Sequence, residues 1–204
     1  MSGRNTRGSL LLNASLVLLF LTFAYANLVR WHETGRPVGL GAVLLEAFTA
    51  SLFLFRRPAL ATSGRPIAWV SALLGAFAML GARPVGDPHA GPFALFEVVQ
   101  LCGFAIVLVA LGALGRSFGI IAANRGIKTR GLYSLVRHPA YSGYLVSYLG
   151  YVGENPSARN LSLLIVGTVA QLVRISEEER MLRLDDAYRE YIARVRHRLI
   201  PYLF

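Results

Sequence analysis

Residues 131–143 read Gly-Leu-Tyr-Ser-Leu-Val-Arg-His-Pro-Ala-Tyr-Ser-Gly, a stretch that gathers a guanidinium, an imidazole and two phenols around a proline. Pro139 has no N–H to give a preceding turn, so it belongs in the first turn of a helix, with the residue before it held extended. Arg137 and His138 then stand just ahead of a helix N-terminus, where unpaired N–H groups and the helix dipole favour an anion. Arg137 can hold a carboxylate or phosphate in a fork, and His138 can hydrogen-bond the same group or its neighbour. Tyr133 and Tyr141 offer flat rings with hydroxyl handles. Gly126, Gly131 and Gly143 admit close backbone approach. A plainer alternative is a basic loop that binds lipid headgroups.

Further on, Arg174-Ile-Ser-Glu-Glu-Glu-Arg-Met-Leu182 supplies the opposite sign. Successive helical residues turn by about 100°, so Glu177, Glu178 and Glu179 cannot all face one site. Arg174 and Glu178 are four apart and share a face. A cation and a carboxylate one turn apart suit a zwitterionic ligand or a reaction that changes charge. The simpler alternative is an i,i+4 ion pair.

The elements that must position these groups are membrane helices. Of 204 residues, 54% are hydrophobic and only 16% charged, too few charges for a water-soluble domain of this length. The apolar residues fall in blocks at 9–29, 38–55, 66–82 and 93–114, each near the roughly 20 residues that cross a bilayer. Two shorter apolar segments, 141–153 and 160–173, flank the turn-forming Glu154-Asn-Pro-Ser157 and predict a tight helical hairpin that goes through the membrane and returns. The expected fold is all-α: a polytopic membrane bundle with four spans in residues 1–114, then a second region over 115–204. That region holds the hairpin and an amphipathic C-terminal helix over 177–200. In this last helix Met181, Leu184, Tyr188, Tyr191, Ile192 and Val195 recur at spacings of three and four, the pattern of a helix lying on headgroups.

Single residues add detail. Glu46 lies deep in the second block, and an intramembrane carboxylate is a candidate functional group. A hydrogen-bonded helix contact is its plainer alternative. Glu97, near the start of the fourth block, can reach the interface. Cys102 is the lone cysteine, which excludes an intramolecular disulfide and a CxxC metal site. It reads as a small core residue, and no metal is expected.

The net charge is +10, and 20 of the 21 basic residues are arginine. They flank apolar segments instead of forming one face, so orientation in a membrane accounts for them better than nucleic acid does. With the N-terminus inside, only Arg30, Arg36, Arg83 and Arg159 fall outside. Both termini and both polar motifs are then cytoplasmic.

Residues 115–204 resemble the C-terminal half of the isoprenylcysteine carboxyl methyltransferase family and its phospholipid methyltransferase relatives. The resemblance is carried by Gly131-Leu-Tyr133, Arg137-His-Pro-Ala-Tyr141-Ser-Gly143, Glu178-Glu-Arg-Met-Leu182, Tyr188, Tyr191, Arg194 and Pro201, in that order. It implies an integral membrane enzyme that methylates a lipidic or apolar carboxylate, amine or thiol with S-adenosylmethionine (SAM). The implied cofactor pocket comprises Arg125, Gly126, Ile127, Lys128, Tyr133, Arg137, His138, Pro139, Ala140, Tyr141, Glu178 and Glu179. The implied catalytic pair is Arg174 and Glu178, with Arg174 on the substrate. Membrane lipids and the acceptor are the implied partners, and nucleic acid is not. Where the eukaryotic isoprenylcysteine enzymes carry Val-Pro, this chain has Val195-Arg196-His197-Arg198.

Two other functions fit parts of the pattern. Membrane sterol reductases, which use NADPH, share an Arg-His-Pro segment and a tail similar to Arg198-Leu-Ile-Pro-Tyr202. A non-enzymatic protein could use its arginines to bind anionic lipid. The Glu178-Glu179 pair favours the methyltransferases.

Overall fold

A computed structural model describes residues 6–59, 61–85 and 94–203. Arg4 of the charge pattern, Phe93 at the head of the fourth apolar block, and Phe204 lie outside these. Among the described residues the helices are α1 (Thr6–Thr34), α2 (Pro37–Phe55), α3 (Pro66–Phe77), α4 (Ala94–Leu114), α5 (Pro139–Glu154), α6 (Ala158–Leu182) and α7 (Asp186–Arg194). Prolines open α2, α3 and α5, where a missing N–H costs nothing. Side chains open the next two: Ser157 accepts from Asn160 N, and Asp185 accepts from Ala187 N. Four of these described helices are long and apolar enough to cross a membrane: α1, α2, α4 and α6.

The first six helices run antiparallel, and polar contacts tie each end of the bundle. At one end Arg56 bonds Asn13, Arg57 N donates to Arg116 O, and Arg65 pairs with Glu177. There the two-residue strands β1 (Ala61–Thr62) and β2 (Ala123–Asn124) also pair, binding the α2–α3 linker to the loop after α4. At the opposite end Arg36 pairs with Glu97 and Glu154, and Gln100 donates to Glu154 at 2.8 Å. Asn160 brackets Arg83 through both its N–H and its carbonyl. Of the four arginines expected outside, Arg36, Arg83 and Arg159 sit at this end, and Arg30 reaches Tyr151 near it.

α4 and α5 touch backbone to backbone. A Cβ added at Gly103 would fall 2.4 Å from Ser147 N, and one at Gly143 would fall 2.8 Å from Val107 N. Small residues at such crossings are how membrane helices gain contact where lipid offers no hydrophobic drive. The core beside this seam holds Phe53, Val107, Leu111, Phe118 and Tyr133. Most leucines of α1 and many on α2, α3 and α6 face outward, as a lipid-bathed surface requires.

Several expectations change. The third apolar block is shorter as a helix: α3 ends at Phe77 and a 3-10 turn covers Ala78–Gly81. The second arm of the hairpin does not stop at residue 173. Nothing from Arg174 to Leu182 breaks a helix, and Arg174, Ile175 and Glu179 are all buried, so α6 continues as one 25-residue rod. The single surface helix over 177–200 is instead broken at 183–185, where Asp185 starts α7. Tyr188 and Tyr191 turn inward from α7, not toward headgroups. Cys102 is exposed on α4, not in the core.

Candidate functional site

A cavity of about 170 Å³ opens at the basic end of the bundle and runs between α2, α4, α5 and α6. Every site residue inferred from the sequence lines it except Pro139 and Glu179. The loop after α4 forms one rim. Gly126 takes φ +98°, a conformation open to glycine, and its N–H is held by Asn124 Oδ1 at 3.0 Å. Ser117 Oγ fixes the loop by donating to Arg125 O at 3.0 Å. The Arg125 guanidinium lies directly over Gly119, where a Cβ would sit 2.5 Å from Nη1, and Nε donates to Arg57 O. Burial, with Arg56 nearby, pulls Arg125 down to about 10 while Glu178 opposes the shift. It therefore stays cationic at neutral pH.

Tyr141 organises the facing wall. Its hydroxyl donates to Glu178 Oε2 at 2.7 Å, and the Arg174 guanidinium carbon sits 4.9 Å from its ring centroid. Arg174 and Glu178 thus do not simply pair along α6; the phenol lies between cation and carboxylate. The interaction over the ring is the attraction of a cation for the negative face of an aromatic. Arg174 also donates from Nη2 to Gly119 O at 3.4 Å.

Arg137 and His138 do precede the N-terminus of α5, and the anion they hold belongs to the chain itself. Glu179 Oε1 lies 3.0 Å from Arg137 Nη1 and 3.2 Å from His138 Nε2, and Oε2 accepts from Arg198 at 3.0 Å. Glu179 is 1% exposed. It faces these cations, and Glu178 faces the cavity. Residues after α7 complete this corner: Arg137 N and His138 N donate to His197 O and Arg198 O, both at 2.9 Å. Ser142 Oγ adds a bond to Leu199 O at 2.6 Å. Gly131 takes φ +64° ahead of the short turn that carries Tyr133, and Gly143 serves the α4 seam.

α7 closes the remaining side. Tyr191 donates to Tyr133 O at 2.6 Å, and burial raises the pKa of Tyr133, Tyr188 and Tyr191, keeping these phenols protonated. Four buried polar atoms have no partner within the described chain: Arg137 Nε, Gln171 Oε1, Arg174 Nε and Tyr188 OH. All four belong to residues of this one cavity wall. Buried polar groups are ordinarily bonded, so four open ones on one wall are a departure that a polar ligand would relieve. Among the described residues, no group of three or more His, Cys, Asp or Glu could hold a metal.

Residues 94–189 match the phospholipid methyltransferase family. The resemblance carried by the two polar motifs therefore holds at family level. The matched region takes in α4 to α6, the Arg137–Tyr141 corner and Tyr188. It supports a membrane methyltransferase. No curated protein sequence matches the chain.

Several cavity residues escaped the sequence motifs. Tyr144 and Tyr148 follow Tyr141 at three and seven on one helical face, and Gln171 precedes Arg174 by three. That spacing was a usable signal. Tyr188 and Tyr191 looked like a lipid-facing stripe because an amphipathic pattern reports an apolar neighbour without saying which. Phe20, Leu45 and Thr49 lie outside the family match and carry no motif.

Proposed function

We propose that this cavity binds SAM and that the chain methylates a lipidic or apolar acceptor reaching it from the bilayer. One observation carries the proposal: a single cavity is lined by Arg125, Lys128, Arg174 and Glu178 together with the rings of Tyr133, Tyr141 and Tyr188, and four residues of its wall each hold a buried polar atom without a partner within the described chain. SAM presents a carboxylate, an ammonium, ribose hydroxyls and an adenine, which call for both signs of charge and for flat rings. Arg125 and Lys128 would take the carboxylate. Glu178, held by Tyr141, would accept from the ammonium or the ribose. Tyr188 OH and Gln171 Oε1 remain to pair with polar edges.

The cofactor supplies an electrophilic methyl on a sulfonium. The chain's own residues position and exclude water. Tyr141 orients Glu178 and caps Arg174, leaving Arg174 Nε for a polar group of the acceptor, while α7 and its tyrosines close the basic end. Holding both reactants in line is the larger part of such catalysis. A small second cavity between α5 and α6 shares Tyr141, Tyr148 and Gln171 with the main one and is otherwise lined by Leu145, Thr168, Leu172 and Leu199. It is the route we assign to an apolar acceptor. The arginine distribution favours a cytoplasmic mouth and cytoplasmic termini.

Titration of the purified chain in detergent with SAM tests the cofactor. Saturable binding is expected, weakened about tenfold or more by Glu178→Gln, since a charge-assisted bond contributes about 1.5–3 kcal/mol. A chain that binds NADPH and not SAM sinks the proposal. Transfer of labelled methyl from SAM into a total lipid extract identifies the acceptor.

A further inference from the structure

Glu46 is the tenth residue of the 19-residue helix α2, midway through a span. It lies nine residues before Phe55, about 13 Å from the basic end at 1.5 Å per residue. Its side chain is on the wall of the same cavity as Arg174 and Glu178. No hydrogen bond or ion pair within the described chain engages it. Thr49, one turn away and also on the wall, spends its hydroxyl on Leu45 O at 2.8 Å. A carboxylate at this depth is costly unless something uses it.

Its surroundings separate it from the groups assigned to the cofactor. Arg125, Lys128, Arg137 and Glu178 belong to the basic end. Glu46 instead stands within electrostatic reach of Tyr144 and Tyr148 on α5, whose rings stack at 6.1 Å between centroids. Neither hydroxyl has a partner within the described chain. Tyr148 lies seven residues past Tyr141, about 10 Å deeper along the helix. Arg174 on α6 acts on the same two phenols. The remaining nearby wall is Phe20 of α1, Gly75 and Ala76 of α3, and Leu111 of α4, none of which titrates. The cavity therefore has a second polar centre, a carboxyl set deep beside the lipid route between α5 and α6.

We propose that Glu46 is the acceptor-side catalytic residue, binding an acceptor whose nucleophilic nitrogen, oxygen or sulfur carries a proton and taking that proton on transfer. The inference rests on the SAM assignment above. As the bond from methyl carbon to sulfonium sulfur breaks, its electron pair returns to sulfur and leaves a neutral thioether. The new bond forms from methyl carbon to the acceptor atom, and the acceptor's proton passes to a carboxylate oxygen of Glu46. A carboxylate acceptor needs no such base and would meet like charge here.

Three probes with one chain length and different heads test this: dodecylamine, dodecanethiol and dodecanoic acid. Each is titrated into the full-length chain in lipid nanodiscs, and SAM affinity is measured in parallel. The amine is expected to bind about tenfold tighter than the acid, and Glu46→Gln to weaken the amine by about tenfold, the worth of one charged hydrogen bond. SAM affinity in Glu46→Gln should stay within about twofold of the parent, which also reports that the variant is folded. Methyl transfer to the thiol should lose its acid limb in the same variant. Tighter binding of dodecanoic acid by the parent chain overturns the assignment without any variant, as does unchanged amine binding in Glu46→Gln. Failure of the parent chain to bind SAM removes the underlying cofactor assignment instead.

Discussion

Glu178 and Glu179 are neighbours in sequence with opposite duties, because about 100° of helix rotation sends one into the cavity and the other into a cluster of cations. Removing Glu179 leaves Arg137, His138 and Arg198 without their shared anion. Glu179→Ala should cost about 3 kcal/mol or more, read as a lowered unfolding temperature in detergent. Tyr141→Phe keeps the ring under Arg174 and deletes only the bond to Glu178, so SAM affinity should fall about fivefold with little change in stability. Tyr141→Ala loses both contacts and should fall further; equal effects of the two variants would deny the ring a role. Arg125 is a base held at about 10, so it is charged below that pH. Its grip on a carboxylate should be flat from pH 6 to 8 and decline as pH rises through about 10, which a series of SAM titrations would show.

At the scale of the elements, the α4–α5 seam decides whether Tyr141, Tyr144 and Tyr148 meet α6 at all. Gly103→Val would push its side chain into Ser147 N and Gly143 O, atoms that cannot turn away. Both thermal stability and SAM affinity should drop together, whereas Gly64→Val, with open space around it, should change neither. Much of this architecture was legible. Pro139 announced the start of α5, and the apolar blocks located α1, α2 and α4. What misled was polarity: Arg174 to Leu182 reads as a segment leaving the membrane, but tertiary partners bury its charges and let α6 continue. Likewise α7 has the periodicity of a surface helix, and no local pattern says that its tyrosines cover a cavity. The site motifs were legible because their residue types are costly in lipid. Glu46 stood out for the same reason, although its sequence distance from Glu178 hid their shared wall.

Across the whole molecule, polar clusters clamp the two ends and an apolar waist lies between. The Arg36–Glu97–Glu154–Gln100 cluster and the Glu179 cluster share no residue and sit at opposite ends of α5. Arg36→Gln should lower the unfolding temperature yet leave SAM affinity within about twofold. Combined with Glu179→Ala, its stability cost should add within about 0.5 kcal/mol, as independent sites do. A coupling well above that, measured in a double-mutant cycle, would mean that α5 transmits between them. The backbone bonds from Arg137 and His138 to His197 and Arg198 also set an order of assembly. Synthesis delivers all six bundle helices to the membrane before it delivers the segment that completes the Glu179 corner. A nascent chain thus holds these six helices with an unfinished site, and the ribosome has passed residue 198 before that corner can close.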